Sequence, residues 1–141
     1  MRDNLRAHAA RGATVARVWA HSDGFGGCTA RGCEMAVAEP LQPRVGVYSE
    51  AALRRLDLVL AEAAAAGIKL ILPLTNFEPF LGGVEWYVRE ILGEGVDKEL
   101  FYTDPAIKDA YFAYVRMLLA RVNSVTGVAY AADPTVMAWE V

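Results

Sequence analysis

The chain has 141 residues, 55% hydrophobic and 22% charged, with a net charge of −3. That balance is globular and carries no low-complexity tract of the kind that keeps a chain disordered. It has no basic stripe to mark a nucleic-acid footprint and no run near the roughly 18 apolar residues of a membrane helix, so neither nucleic acid nor membrane is an expected partner.

Met1 to Arg11 reads as a polar helix ending at Gly12, without the apolar stretch of a signal peptide. Thr14 to Ala20 reads as a strand in which Val15, Arg17 and Trp19 alternate with Ala16, Val18 and Ala20, so Arg17 and Trp19 share one face. An arginine on an otherwise apolar strand costs free energy unless it has a partner or a role. A loop of nearly thirty residues, His21 to Tyr48, follows; structureless loops of that length inside compact domains are often functional. It holds Cys28 and Cys33. With His21 they offer three metal ligands at most, short of the four a structural zinc needs, so no metal is expected. A local disulfide and two idle thiols both remain open.

Ser49 is the expected N-cap of the next helix, with Leu53, Leu56, Leu60 and Ala64 as its apolar stripe and Gly67 as its stop. Ile68 to Thr75 is a mostly apolar run, as in a parallel strand covered on both faces. Pro73 lacks the ladder donor such a strand uses, which points to a strand end or a bulge. After a second loop, Asn76 to Gly83, a short helix over Val84 to Leu92 carries Trp86 and Tyr87 as packing residues. Thr103 or Asp104 caps the last long helix, with Pro105 in its first turn and Ile107, Tyr111, Tyr114, Leu118 and Val122 as its buried stripe. Asp133-Pro134 punctuates entry into a final strand, Thr135 to Val141. Since neither turn nor helix follows it, the expectation is an incomplete fold that exposes apolar strand faces.

Strands alternating with helices predict βαβ units, a parallel sheet and an α/β fold, in one domain over residues 1–141. A nucleotide-binding open sheet places a Gly-rich turn directly between strand and helix. Here Gly24, Gly26 and Gly27 open a long loop instead, and no phosphate-binding motif exists. Arg17, Trp19, Asn76, Trp139 and Glu140 all fall at carboxyl ends of strands, where (β/α)₈ barrels carry their chemistry. A partial barrel is the favoured reading.

Specific runs carry a family likeness. Val15-Ala16-Arg17-Val18-Trp19-Ala20 with Asp23-Gly24 resembles the second strand of plant and fungal endo-β-1,4-mannanases, V-V-R-T-W-A-F-x-D-G. Leu41-Gln42-Pro43, Gly46-Val47-Tyr48 and Leu56-Asp57 are similar to that family's approach to its second helix, and Gly67 to Leu72 to its third strand. Tyr102 to Lys108, Arg121-Val122-Asn123 and Thr126 to Tyr130 follow in the same order. Asp133 to Glu140 resembles the fourth strand. The likeness is collinear over nearly the whole chain.

The resemblance implies part of a retaining glycosidase barrel, about strands two to four, acting on internal β-1,4 links of mannan, galactomannan or glucomannan, extracellular and without cofactor. Retaining chemistry needs two carboxyl groups about 5–5.5 Å apart. By resemblance the acid/base belongs to an N-E-P motif beyond Val141 and the nucleophile to a later strand, so no catalytic residue is expected in the chain, and residues 1–141 alone are expected to be inactive. Trp19, Arg17 and Asn76 are the implied substrate-binding residues: Trp19 to stack on a sugar ring, Arg17 to hold the nucleophile carboxylate. Glu140 matches a structural W-E pair, implying a buried carboxylate with hydrogen-bond partners, among them a basic side chain. Two departures stand out. Thr75-Asn76-Phe77-Glu78 replaces V-N-N-W, so Phe77 either stands in for a tryptophan or a sugar subsite is weakened, and His21 replaces the usual phenylalanine after W-A. Rival readings are another clan-A β-glycanase (a cellulase or exo-mannosidase), a non-catalytic sugar-binding remnant, and a doubly wound nucleotide-binding domain.

Overall fold

A computed structural model of the chain describes residues 2–24, 39–78 and 80–141. The expectations for Cys28 and Cys33, and for Gly26 and Gly27, lie outside the described residues. In chain order the elements are α1 (Arg2–Ala10), β1 (Val15–Arg17), α2 (Glu50–Ala66), β2 (Lys69–Pro73), α3 (Val84–Leu92), α4 (Pro105–Ala120) and β3 (Val136–Glu140), with 3₁₀ turns at Lys98–Tyr102 and Tyr130–Ala132. The strands form one parallel sheet in the order β1-β2-β3. The α/β reading holds: each strand is joined to its neighbour through helix. Among the described residues, no helix is long and apolar enough to cross a membrane.

The strands are shorter than the sequence predicts. β1 stops at Arg17, yet its bonding to β2 runs on, with Val18 N–H donating to the Ile71 carbonyl and Ala20 N–H to the Pro73 carbonyl, both at 3.0 Å. Pro73 is the last residue of β2, where a missing N–H matters least. The ladder resumes one residue later, from Leu74 N–H to the Glu140 carbonyl at 2.8 Å. A register irregularity does occur in β2, but between Leu70 and Ile71. The strand-end explanation of Pro73 is the correct one.

Helix boundaries follow their caps. The Ser49 side chain accepts from Ala52 N–H at 3.2 Å to start α2, and Asp104 accepts from Ala106 and Ile107 N–H to start α4, with Pro105 in its first turn. Both apolar stripes differ from expectation at their last member. In α2 the buried face passes through Leu53, Leu56 and Leu60 to Ala63, and Ala64 is exposed. In α4, Ile107, Tyr111, Tyr114 and Leu118 are buried, whereas Val122 is 58% exposed. The helix has ended by then, because Arg121 turns extended at φ −62°, ψ 129°. Leu70 and Leu72 of β2 are fully buried beneath the helices. Tyr114 donates its hydroxyl to the Ala20 carbonyl, fixing α4 to the end of β1. Apolar strand surface stays open at Val15 and Met137, which are 41% and 60% exposed.

Arg121 leaves the helix to reach Asp57, a carboxylate with no exposed surface in the middle of α2. Arg121 Nε donates to Oδ1 at 2.8 Å and Nη2 to Oδ2 at 2.6 Å. The Tyr130 hydroxyl donates to Oδ1 at 2.6 Å and the Ser124 hydroxyl to Oδ2 at 2.7 Å. Asn123 Nδ2 donates to the Asp57 backbone carbonyl at 3.0 Å, and Glu50 takes two further bonds from Arg121. This cluster joins α2 to the end of α4 and the segment leading into β3. Burial alone would raise the Asp57 pKa, but the bonds from Arg121, Tyr130 and Ser124 outweigh it and hold the carboxyl at about 2.

Candidate substrate-binding cleft

The carboxyl ends of β2 and β3, the 3₁₀ turn at Lys98–Tyr102 and the first half of α4 enclose a cleft of about 440 Å³. Arg17, Asn76, Lys108 and Glu140 supply its polar wall, and Phe77, Phe101, Tyr102, Tyr111 and Phe112 its aromatic one. Such a mixture suits a ligand with apolar faces and a hydroxylated rim.

Register brings the two charges together. Arg17 lies opposite Ile71 and Ile71 opposite Ala138. Strand alternation therefore puts Arg17 and Glu140 on the same sheet face. Arg17 Nε donates to Oε2 at 2.8 Å and Nη2 to Oε1 at 2.7 Å, a two-point guanidinium–carboxylate pair. Both side chains are 47% exposed. The expected basic partner of Glu140 is thus present, but the carboxylate is open to solvent rather than buried. The hydrogen bonds from Arg17 hold the Glu140 carboxyl below the usual carboxylate range, and the Arg17 guanidinium is raised in turn. A group kept ionised in this way is poorly placed to act as a general acid. Because solvent screens an exposed pair, Glu140→Gln is expected to leave the urea midpoint of the protein unchanged, and a clear fall in that midpoint would contradict this placement.

Asn76 lines the cleft, and its backbone carbonyl accepts from Val84 N–H at 3.0 Å, starting α3. Trp19 stands apart from the cleft: its indole stacks on the His21 ring with centroids 5.6 Å apart and planes 20° apart. Phe77 is at the cleft edge, with Lys98 Nζ 3.6 Å from the centre of its ring. That cation covers one face of the ring.

Two lining residues were not singled out by the sequence. The hydroxyls of Thr75 and Tyr111 are buried at the cleft without a hydrogen-bond partner. Helical spacing marks Tyr111 as packing, and its ring does pack edge-on against Tyr87 and at 5.3 Å from Phe101. Periodicity cannot reveal that the residue also lines the cleft. Burial, then the charge of Asp23, pushes the Tyr111 hydroxyl up to about 12, which keeps it a donor at neutral pH.

Beside the cleft, Asp23 organises the strand-end loops. Its carboxylate is buried and accepts from Gln42 Nε2 at 3.2 Å and from Gly83 N–H at 3.1 Å. Gln42 Nε2 also donates to the Tyr87 hydroxyl at 2.7 Å. The Asp23 N–H donates to the Leu81 carbonyl at 2.8 Å. Among the described residues, no group of three or more His, Cys, Asp or Glu could hold a metal ion.

Comparison with known proteins shows the family and the fold of the chain. A family model described as GH family 5 beta-mannosidase-like matches residues 1–141. Mannan endo-1,4-beta-mannosidase 1 of rice is 43% identical over 136 residues, covering 94% of this chain and 29% of the rice protein. Mannan endo-1,4-beta-mannosidase 5 of Arabidopsis thaliana is 39% identical over 140 residues, covering 96% of this chain and 30% of its own. Among solved structures, the endo-1,4-beta-D-mannanase of Thermotoga petrophila superposes with a TM-score of 0.83 at 35% identity, over 96% of this chain and 38% of that one. The endo-1,4-beta-mannanase of Rhizomucor miehei gives 0.83 at 27% identity, over 100% and 39%. The chain therefore spans less than a third of the length of these plant relatives. With a family match over every residue and a fold that superposes on two mannanases, the chain belongs to the GH family 5 beta-mannosidase-like family.

Proposed function

We propose that residues 1–141 are the second-to-fourth-strand arc of a (β/α)₈ barrel and form one wall of the mannan-binding site of a retaining endo-β-1,4-mannanase. The observation that carries this reading is the cleft at the carboxyl ends of adjacent parallel strands, where such barrels keep their chemistry. Arg17 and Asn76 line that cleft, and Trp19, which stands outside it, offers a pyranose ring the indole face away from His21. Glu140 is the one carboxylate lining the cleft among the described residues, and Arg17 already holds it. The pair of carboxyl groups that retaining hydrolysis needs comes from outside residues 1–141, and the family resemblance supports Arg17 as the residue that orients the nucleophile of that pair. The substrate is a β-mannan outside the cell, and no cofactor takes part in the reaction.

The test is reducing-sugar release from galactomannan. Residues 1–141 alone are expected to release none, and a longer protein carrying them is expected to release oligosaccharides. Turnover by residues 1–141 would overturn the assignment of the carboxylates, and mannose as the sole product of the longer protein would overturn endo cleavage. In that longer protein, Trp19→Ala is expected to weaken mannohexaose binding by about tenfold, the loss of one good stacking contact, as read by calorimetry.

A further inference from the structure

Arg17 and Glu140 start from different rows of the sheet. Arg17 is level with Ile71 of β2, whereas Glu140 is level with Pro73, two residues further along the same strand. Two residues are roughly 6.6 Å of strand, so the ion pair spans one row toward the strand ends. Both backbones are tied to β2 at these points. Val18 N–H donates to the Ile71 carbonyl, and Leu74 N–H donates to the Glu140 carbonyl. The contact itself runs from Nε to Oε2 and from Nη2 to Oε1. It uses one edge of the guanidinium. The other edge, Nη1 with the second proton of Nη2, has no partner among the described residues. Because arginine carries its donors in a rigid plane, that free edge is a second two-point fork of the kind a carboxylate fits.

We propose that Glu140 is a positioning residue: it fixes the plane of the Arg17 guanidinium at the strand ends and leaves the Nη1/Nη2 edge open for a second carboxylate, the nucleophile. Arg17 is long, flexible and 47% exposed along its side chain. Without a partner its head samples many rotamers, and the ordering needed to meet a reacting group falls on the transition state. A two-point bond to Glu140 imposes that order beforehand. This rests on the reading above, in which Arg17 orients the nucleophile.

The cleft offers Arg17 no other anchor of this kind, since Glu140 is the one carboxylate lining it among the described residues. The hydrogen bonds from Arg17 hold the Glu140 carboxyl below the usual carboxylate range, so both of its oxygens remain acceptors at neutral pH. Both are also occupied, which leaves Glu140 to act through Arg17 rather than on the sugar. A glutamine in its place would keep the length of the side chain but offer the guanidinium one acceptor and one opposing donor.

The test uses the longer protein carrying residues 1–141, with mannohexaose as substrate. Glu140→Gln is expected to lower kcat on the order of a hundredfold, the scale for a misplacement of about 1 Å at reacting groups, while KM changes by less than about twofold. Arg17→Lys, which cannot make the fork, should lower kcat at least as far. In the Arg17→Lys background, Glu140→Gln should cost no more than about twofold further, because a residue acting through another then has nothing to act through. A second readout needs no turnover. The Arg17 Nε–H resonance, assigned by its loss in Arg17→Lys, should be sharp and slow to exchange in wild type and broaden in Glu140→Gln. Wild-type kcat in Glu140→Gln, a rise in KM at constant kcat, losses that multiply in the double variant, or an Nε–H signal blind to Glu140→Gln each overturn the proposal. Failure of the reading beneath it looks different: wild type would leave mannohexaose uncut, or Arg17→Lys would cleave it as fast as wild type, while the Nε–H signal still depended on Glu140.

Discussion

Asp57→Asn is expected to destabilise the protein by about 3 kcal/mol, the scale for removing one partner of a buried ion pair, seen as a lower urea midpoint of unfolding. Asp57 has no exposed surface and accepts from Arg121, Tyr130 and Ser124 together. An asparagine amide would turn donors toward donors and leave the guanidinium of Arg121, whose side chain is 11% exposed, partly uncompensated. The same site predicts an acid limb. The folded carboxyl is held at about 2, below its ordinary 3.8. Its contribution is therefore complete above the ordinary value and lost as the pH falls through about 2. That contribution is about 2 kcal/mol. Wild type should lose stability between about pH 4 and pH 2 more steeply than Asp57→Asn, and parallel curves for the two would refute the account.

Gly83→Ala is the second large effect. Gly83 has φ 74° and ψ −150°, a region that side chains other than glycine enter only at a cost of about 1–3 kcal/mol. Space forbids the change as well, since a Cβ there would run into the Asn76 backbone carbonyl. That carbonyl accepts the first bond of α3, and the Gly83 N–H donates to Asp23. The alanine must push apart the segment that carries Asn76 and the loop anchored by Asp23. Expected results are a loss of about 3 kcal/mol or more and an altered Asn76 side-chain amide resonance. An unchanged urea midpoint would mean that these contacts are not made.

The sequence was most legible where one residue type meets one local need. Ser49, Asp104 and Pro105 mark helix starts because a side-chain acceptor or a missing N–H has value only there, and each sits as expected. Alternation correctly put Arg17 on a strand. Pairing it with Glu140 required the register across β2, which no local pattern contains. Val122 misled because its spacing is helical, while a contact from Arg121 to Asp57, 64 residues away in the chain, ends the helix first. Asp57, Asn123 and Tyr130 each stood in a run carrying the family likeness, but nothing in the sequence showed that they meet. Tyr111, placed in a helical stripe, lines the cleft for the same reason: spacing reports a face of the helix, not the reach of the side chain.

In this sheet, spatial order and chain order coincide, β1-β2-β3. Each strand emerging from the ribosome meets a template already made, and no later segment has to be inserted between earlier ones. Assembly can thus proceed vectorially during translation, with the Asp57 cluster able to close only after Tyr130 has left the ribosome. Until Ser124 and Tyr130 emerge, the Asp57 carboxylate lacks the two hydroxyl donors that complete it, so α2 is stitched to the segment before β3 late in synthesis.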